Sequence, residues 1–531
     1  MPAPLRLSGQ TASAGYARGP LWLAPSRTET HYRGSGDVNR ESSALANALE
    51  KASAATAELI ASAEGDAADI LEFQLAMIED DTFRVSANGR IAGGEDAATA
   101  WTAVLDAEIA GYEASDDAYF AARAADLADI RDRVLSMLTG EKAGVIPAGV
   151  IYVGDDITPS VFLAHDWTGG GFALRHGSAT GHVAMLARQR GVPALVAIGD
   201  APLEAGVDSL LDASTGSLTA SPAPQDIAEF EAGRQSSVER AAFAAQYAAR
   251  PARTADGAPI DVLVNIAEPS DTASIPIAHC DGVGLMRTEF LYAHGLPDED
   301  TQYAAYRTVL EWAEGKPVTI RTVDAGGDKP VPGFTVDESN PFLGLRGIRL
   351  CLAKPDIFAV QIRALLRAAV RGNLKVMLPM VSVPEELEQA RTLFRAEADK
   401  LERAGIPCAM PPLGIMVEVP SVAIRPDLFA AAAFFSIGSN DLTQYVMAAS
   451  RDSAKLSALA RPDHPAVLEL VRRVAQWGDE NGRPVSLCGD AASDPALAPL
   501  LLKSGLRSLS IAASRIGAVK AAIANAEVAA P

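Results

Sequence analysis

The chain has 531 residues, more than one hydrophobic core usually organises, so two or three domains are expected. It is 48% hydrophobic but only 6% aromatic, and its formal net charge of −21 argues against nucleic acid or an anionic membrane surface as the main partner while suiting a basic protein partner. With no apolar run of roughly 18 residues, no apolar signal core after Met1-Pro2-Ala3-Pro4, and Cys280, Cys351, Cys408 and Cys488 scattered without CxxC spacing, the expectation is a cytoplasmic protein with no membrane insertion, disulfide framework or zinc site.

Leu5 to Leu23 carries two short apolar runs separated by Gly15, Gly19 and Pro20 and reads as a strand pair. The stretches 39–63, 66–79, 96–113 and 115–139 are rich in Ala, Leu, Glu and Arg with apolar residues three and four apart, which predicts amphipathic helices broken at Gly65, Gly89, Gly93-Gly94 and Gly140. Past Gly144 strand-like runs resume at 150–154, 171–174, 194–198 and 209–212. Strands, helices, then strands imply an α/β domain interrupted by a helical insert. Residues 217–224 read as a small-residue and Pro linker, and 225–250 as one long helix able to serve as a hinge arm.

Within the second strand group, His182 falls where a loop becomes a helix: 183–190 lacks Gly and Pro, and Gly191 can close it in a left-handed cap. A helix N-terminus collects free N–H groups and the positive dipole end, which favours an anion and a neutral imidazole, a combination suited to accepting a phosphoryl group.

From Pro259 onward, short apolar runs at 260–266, 282–285, 318–320, 374–378, 414–417, 434–437, 485–487 and 509–511 alternate with helical segments, the rhythm of a (β/α)8 barrel. Arg287 lies just past the second run, Arg321 ends the third, Glu418 ends the fifth, Asn440-Asp441 follow the sixth and Cys488 ends the seventh. In such a barrel the carboxyl ends of the strands share one face, and that face carries the chemistry. Arg287 and Arg321, with Arg346 and Arg451 on nearby loops, offer planar forks for carboxylate or phosphate, hence a small polyanion. Glu418 and Asp441 are hard oxygen donors suited to Mg²⁺. A thiol at Cys488, with an ordinary pKa of about 8.5, is mostly protonated at neutral pH and can deliver a proton.

The motifs Gly282-Val283-Gly284-Leu285-Met286-Arg287-Thr288-Glu289-Phe290, Arg321-Thr322-Val323-Asp324-Ala325-Gly326-Gly327-Asp328-Lys329, Asn340-Pro341-Phe342-Leu343-Gly344-Leu345-Arg346, Gly414-Ile415-Met416-Val417-Glu418 and Ser436-Ile437-Gly438-Ser439-Asn440-Asp441-Leu442-Thr443-Gln444-Tyr445 resemble enzyme I of the phosphoenolpyruvate:sugar phosphotransferase system. The resemblance implies a swivelling α/β phosphohistidine domain (1–35 and 144–220) with an inserted helical carrier-docking subdomain (36–143), a linker helix (221–257) and a C-terminal TIM-type barrel that binds phosphoenolpyruvate (258–531). It further implies that His182 is phosphorylated at Nε2 and that Arg287, Arg321, Asn440, Asp441 and Arg451 bind phosphoenolpyruvate, with Arg346 as a further phosphate contact. Glu418 and Asp441 would hold Mg²⁺, and Cys488 would protonate the enolate. The partners implied are a histidine phosphocarrier of the HPr type and a second copy of the chain, joined through the barrel. Two departures stand out. The family's usual Gly-Gly and Thr-Ser-His are here Gly177-Ser178 and Thr180-Gly181-His182-Val183, and Gln74 stands where a carrier-docking histidine is common. A nitrogen-type or kinase-coupled regulatory branch, or a non-transferring phosphoenolpyruvate sensor, are the competing expectations.

Overall fold

The computed structural model describes residues 4–24, 32–62, 66–113, 118–140, 146–179, 181–292, 295–327, 329, 331–336, 338–450, 456 and 458–527. It divides into two compact units, Met1–Ser237 and Val238–Pro531. Among the described residues no helix is long and apolar enough to cross a membrane.

In the first unit Leu5–Leu23 forms three strands rather than a pair: β1 (Leu5–Ser8), β2 (Gln10–Ser13) and β3 (Tyr16–Leu23). Five helices follow, α1 (Val38–Ser62), α2 (Asp66–Ile78), α3 (Asp81–Ala92), α4 (Ala97–Glu113) and α5 (Ala118–Thr139). The sequence pattern does not predict α3, because Gly89 looks like a break. Asp80 caps its first turn by accepting the Thr82 N–H at 2.7 Å, and Phe83, Ala87 and Ile91 bury one face. That burial outweighs the roughly 1 kcal/mol an interior glycine costs. The bundle closes on Leu45, Ala52, Trp101, Leu105, Ile130 and Val134, all fully buried.

After the bundle come β4 (Ile151–Gly154), α6 (Pro159–Ala164), β5 (Gly171–Leu174), α7 (His182–Arg190), β6 (Ala194–Val196), β7 (Asp208–Asp212), β8 (Ser217–Ala220) and α8 (Pro224–Ala248). The start of the expected linker is thus a strand. β8 pairs antiparallel with both β1 and β7, and burial of Leu218 and Ala220 between them overrides its loop-like composition. The sheet order is β1-β8-β7-β3-β4-β5-β6-β2, with β3 to β6 parallel. Only Gly9 separates β1 from β2, yet they sit at opposite ends of that order. Since neighbouring Cα atoms are about 3.8 Å apart, the sheet must curl until its edges meet.

The second unit is the closed parallel barrel expected from the alternating runs. Its strands are β9 (Asp261–Ile266), β10 (Val283–Met286), β11 (Val318–Arg321), β12 (Leu374–Leu378), β13 (Leu413–Val417), β14 (Phe435–Gly438), β15 (Val485–Cys488) and β16 (Ser508–Ala512). They are apolar along most of their length because barrel interior and helical jacket bury both faces. The jacket comprises α9 (Glu299–Trp312), α10 (Ile348–Ala353), α11 (Pro355–Ala368), α12 (Pro384–Arg403), α13 (Pro420–Ile424), α14 (Ser439–Met447), α15 (Pro465–Glu480), α16 (Asp490–Ser493), α17 (Ala498–Lys503) and α18 (Ile516–Ala524). The C-terminal part of α8, from Val238 onward, belongs to this unit. Lys520 of α18 donates to the carbonyls of Ala248, Arg250 and His279 at 2.8 to 2.9 Å, satisfying the open helix end.

Candidate active site

Parallel strands deliver their last residues to one rim, and there the barrel gathers an unusual density of buried charge. Arg321, the final residue of β11, is 5% exposed. Its guanidinium lies 2.9 Å from Glu289 Oε1 and 3.2 Å from Asp324 Oδ2. Arg346, 1% exposed, meets Asp324 Oδ2 at 3.0 Å, Asp441 Oδ1 at 3.4 Å and the Tyr445 hydroxyl at 3.4 Å. Burial works against both cations, but the surrounding carboxylates keep them firmly charged. Asp324 is the hub. Burial alone would raise its pKa, and the cations of Arg321, Arg346 and Lys329 hold it well below the usual carboxylate range.

Glu418, one residue past β13, is 1% exposed. Its Oε1 accepts the Met380 N–H at 2.6 Å, a donor aimed by the left-handed backbone of Met380 (φ 59°), an uncommon state for a non-glycine residue. Burial, then the negative charges of Asp324 and Asp441, push the Glu418 carboxyl up to about 8 against the pull of Arg321 and Arg346. A rim this crowded with carboxylates fits a divalent cation held by Glu418 and Asp441, whose charge would offset the repulsion and leave Glu418 ionised.

Cys488 ends β15 and is 1% exposed. The Ser436 hydroxyl approaches its sulfur at 3.6 Å. Burial pushes the thiol upward, opposed by that hydroxyl and by the cations of Arg321 and Arg287, so the group stays protonated at neutral pH. Gly489 follows with φ 96°, and a Cβ there would lie 2.3 Å from Ser439 Oγ and 2.7 Å from Asn440 Oδ1, so only glycine lets the two loops meet. Across that contact Asn440 Nδ2 donates to Asp490 at 3.1 Å while Asn440 Oδ1 accepts the Asp490 N–H at 3.0 Å.

The rim thus brings together Arg287, Arg321, Arg346, Glu418, Asn440, Asp441 and Cys488. Arg451 lies outside the described residues. Glu289 and Asp324 sit inside the quoted motifs with no role expected of them; their place two and three residues past Arg287 and Arg321 is the signal the sequence offers. Tyr445 closes the last of those motifs, while Asp490 lies outside all of them.

His182 belongs to the first unit, where it opens α7 as the helical pattern predicts, behind an N-cap glycine at 181 and ahead of the left-handed cap Gly191 (φ 64°, ψ 29°). The loop before it is braced by Arg188, which donates to the carbonyls of Ala179 at 2.7 Å and Ala12 at 2.8 Å. In the loop that leaves β5, the exposed His176 ring lies 3.6 Å from Asp200 and Arg175 lies 3.7 Å from Asp155. Gln74 is fully buried, donating to Asp129 at 3.1 Å and accepting from Arg133 at 3.0 Å.

Three family models match the chain in order: the phosphoenolpyruvate-utilising enzyme N-terminal region at residues 8–123, the mobile domain of those enzymes at 146–216, which contains His182, and their phosphoenolpyruvate-binding domain at 241–528. The chain belongs to the phosphoenolpyruvate-utilising enzymes. Its curated relatives carry a narrower name, phosphoenolpyruvate-protein phosphotransferase. That of Staphylococcus carnosus is 37% identical over 497 residues, spanning 90% of this chain and 87% of the relative. That of Bacillus subtilis is 36% identical over 495 residues, 90% and 86%. That of Geobacillus stearothermophilus is 40% identical over 420 residues, 77% and 72%.

Proposed function

We propose that the chain transfers the phosphoryl group of phosphoenolpyruvate to its own His182 and then to a histidine phosphocarrier of the HPr type, releasing pyruvate as the first step of a cytoplasmic phosphotransferase system. The observation that carries this reading is the convergence of Arg321, Asp324, Glu418, Asp441 and Cys488, all buried, at one barrel rim.

The substrate carries a carboxylate and a phosphate on three carbons, and the rim offers matching charge. Arg287, Arg321, Asn440 and Arg451 bind it, and Arg346, behind Asp324 and Asp441, adds its charge to the phosphate site. Glu418 and Asp441 hold Mg²⁺, which when bound spreads the negative charge of the moving phosphoryl group. His182 Nε2 attacks phosphorus as the bond to the bridging oxygen breaks, leaving an enolate. Cys488 then donates its thiol proton to the methylene carbon, giving pyruvate and drawing the transfer forward. Because Cys488 is buried and its thiol stays protonated, the proton is available in place when the enolate forms. The long helix α8 is the arm on which the 1–35 and 144–220 domain swings, the 36–143 helical subdomain receives the carrier, and the barrels join two copies into a homodimer. With Gln74 buried, carrier contact falls to other residues of that subdomain.

Incubation with labelled phosphoenolpyruvate and Mg²⁺ should yield an acid-labile phosphohistidine and an equivalent of pyruvate. Label retained by a His182→Ala variant would overturn the assignment.

A further inference from the structure

Beneath the rim lies a second polar layer with no solvent contact, and it ties together the two loops that carry the substrate-facing arginines. Gln361, on α11, is fully buried, as are Thr288 and Tyr306. Gln361 Oε1 accepts the Val323 N–H at 3.0 Å. Its Nε2 donates to Thr288 Oγ1 at 3.3 Å and to the Tyr306 hydroxyl at 3.1 Å. Thr288 Oγ1 in turn donates to the Arg321 carbonyl at 3.0 Å, and Tyr306 donates to Gln302 Oε1 at 3.1 Å. One acceptor and two donors of a single amide are therefore all engaged, which also dictates which way round the amide sits.

The partners are not arbitrary. Thr288 stands between Arg287 and Glu289 in the loop after β10, and Val323 between Arg321 and Asp324 in the loop after β11. Above the layer, Glu289 Oε1 bridges the same two loops again, accepting from the Arg321 guanidinium at 2.9 Å and from the Asp324 N–H at 2.9 Å. A bridge on each side of Arg321 leaves its backbone and its side chain little freedom to shift relative to Arg287.

We infer that Gln361, acting with Thr288, is a positioning device for substrate: it sets the separation of the Arg287 and Arg321 loops to the span of phosphoenolpyruvate's charged groups. A helix outside the barrel thereby fixes the geometry of two strand-end loops inside it. Buried polar groups satisfied in this way specify one arrangement, since any other leaves a donor or acceptor unpaired at a cost.

The inference rests on the phosphoenolpyruvate reading, and its test separates the two. In a full-length His182→Ala background, where phosphoenolpyruvate is bound and not consumed, its affinity is measured by calorimetry with Mg²⁺. Gln361→Leu and Thr288→Val are each expected to weaken binding about tenfold or more, on the scale by which small misplacements act. Thr288→Ser, which keeps the hydroxyl, is expected to bind within about twofold of the parent. Far-ultraviolet circular dichroism confirms that each variant is folded, and the near-isosteric Thr288→Val stands in should Gln361→Leu not fold. Affinity unchanged in Thr288→Val, or lost equally in Thr288→Ser, would overturn the inference, because the hydroxyl relay would then be mere packing. Failure of the parent chain with intact His182 to form phosphohistidine would instead sink the transfer reading while leaving the binding comparison in force.

Discussion

Each side chain at the rim is tuned by what surrounds it, so single substitutions should separate the roles. Cys488→Ala is expected to keep phosphoenolpyruvate binding while lowering pyruvate release by about 10²- to 10⁴-fold, the usual worth of a positioned acid. A pyruvate assay run beside equilibrium binding checks this, and release at the parent rate would dismiss Cys488 as the donor. Glu418 offers a test of the metal site. Its folded pKa is raised from the ordinary carboxylate value to about 8, so its contribution to stability is present in full below the ordinary value and is lost as pH rises through about 8. In chelator, Glu418→Gln should therefore gain on the parent in melting temperature as pH rises toward 9. Mg²⁺ should raise the melting temperature of the parent, more at high pH, and leave the variant nearly unmoved. An equal Mg²⁺ shift in both proteins would place the ion elsewhere.

At the level of elements, the helical bundle depends on one carboxylate that closes a helix start. Glu41 of α1 accepts the Ala97 N–H, the first residue of α4, at 2.9 Å and the Ser35 N–H at 2.6 Å, with the Tyr32 hydroxyl at 3.0 Å. Burial would raise its pKa, yet these donors bring it down to about 2. Its support is thus present above the ordinary carboxylate pKa and fades as pH falls toward about 2. Glu41→Gln should cost about 1–3 kcal/mol of stability at pH 7, the range for a buried charged acceptor, and the gap to the parent should shrink by pH 3. Urea melts at the two pH values measure it, and a gap that widens in acid would contradict the assignment.

For the whole molecule, two compact units share only one helix as a continuous element, so unfolding should resolve into two calorimetric transitions. In a His182→Ala chain, phosphoenolpyruvate with Mg²⁺ at about 100 times its dissociation constant should stabilise one of them by about 2.7 kcal/mol and leave the other in place. A uniform shift of both would mean that the ligand binds across the units. Much of this layout was legible beforehand. The eight barrel strands, with Arg321, Glu418 and Cys488 at or just past their ends, could be read from the chain, because a strand buried on both faces is a local apolar run and a parallel barrel assigns every strand end to the same rim. The place of His182 at a helix start was equally local, marked by the Gly- and Pro-free run after it and by Gly191 at the end of that run. What the chain did not disclose are pairings between residues far apart in it: β8 taken into the sheet between β1 and β7, Asp324 shared by Arg321 and Arg346, and Gln361 reaching Thr288 across 73 positions. No periodicity encodes such meetings. They follow from where closure of the barrel and curling of the sheet carry each backbone, and only then does a buried polar group find the partner it needs.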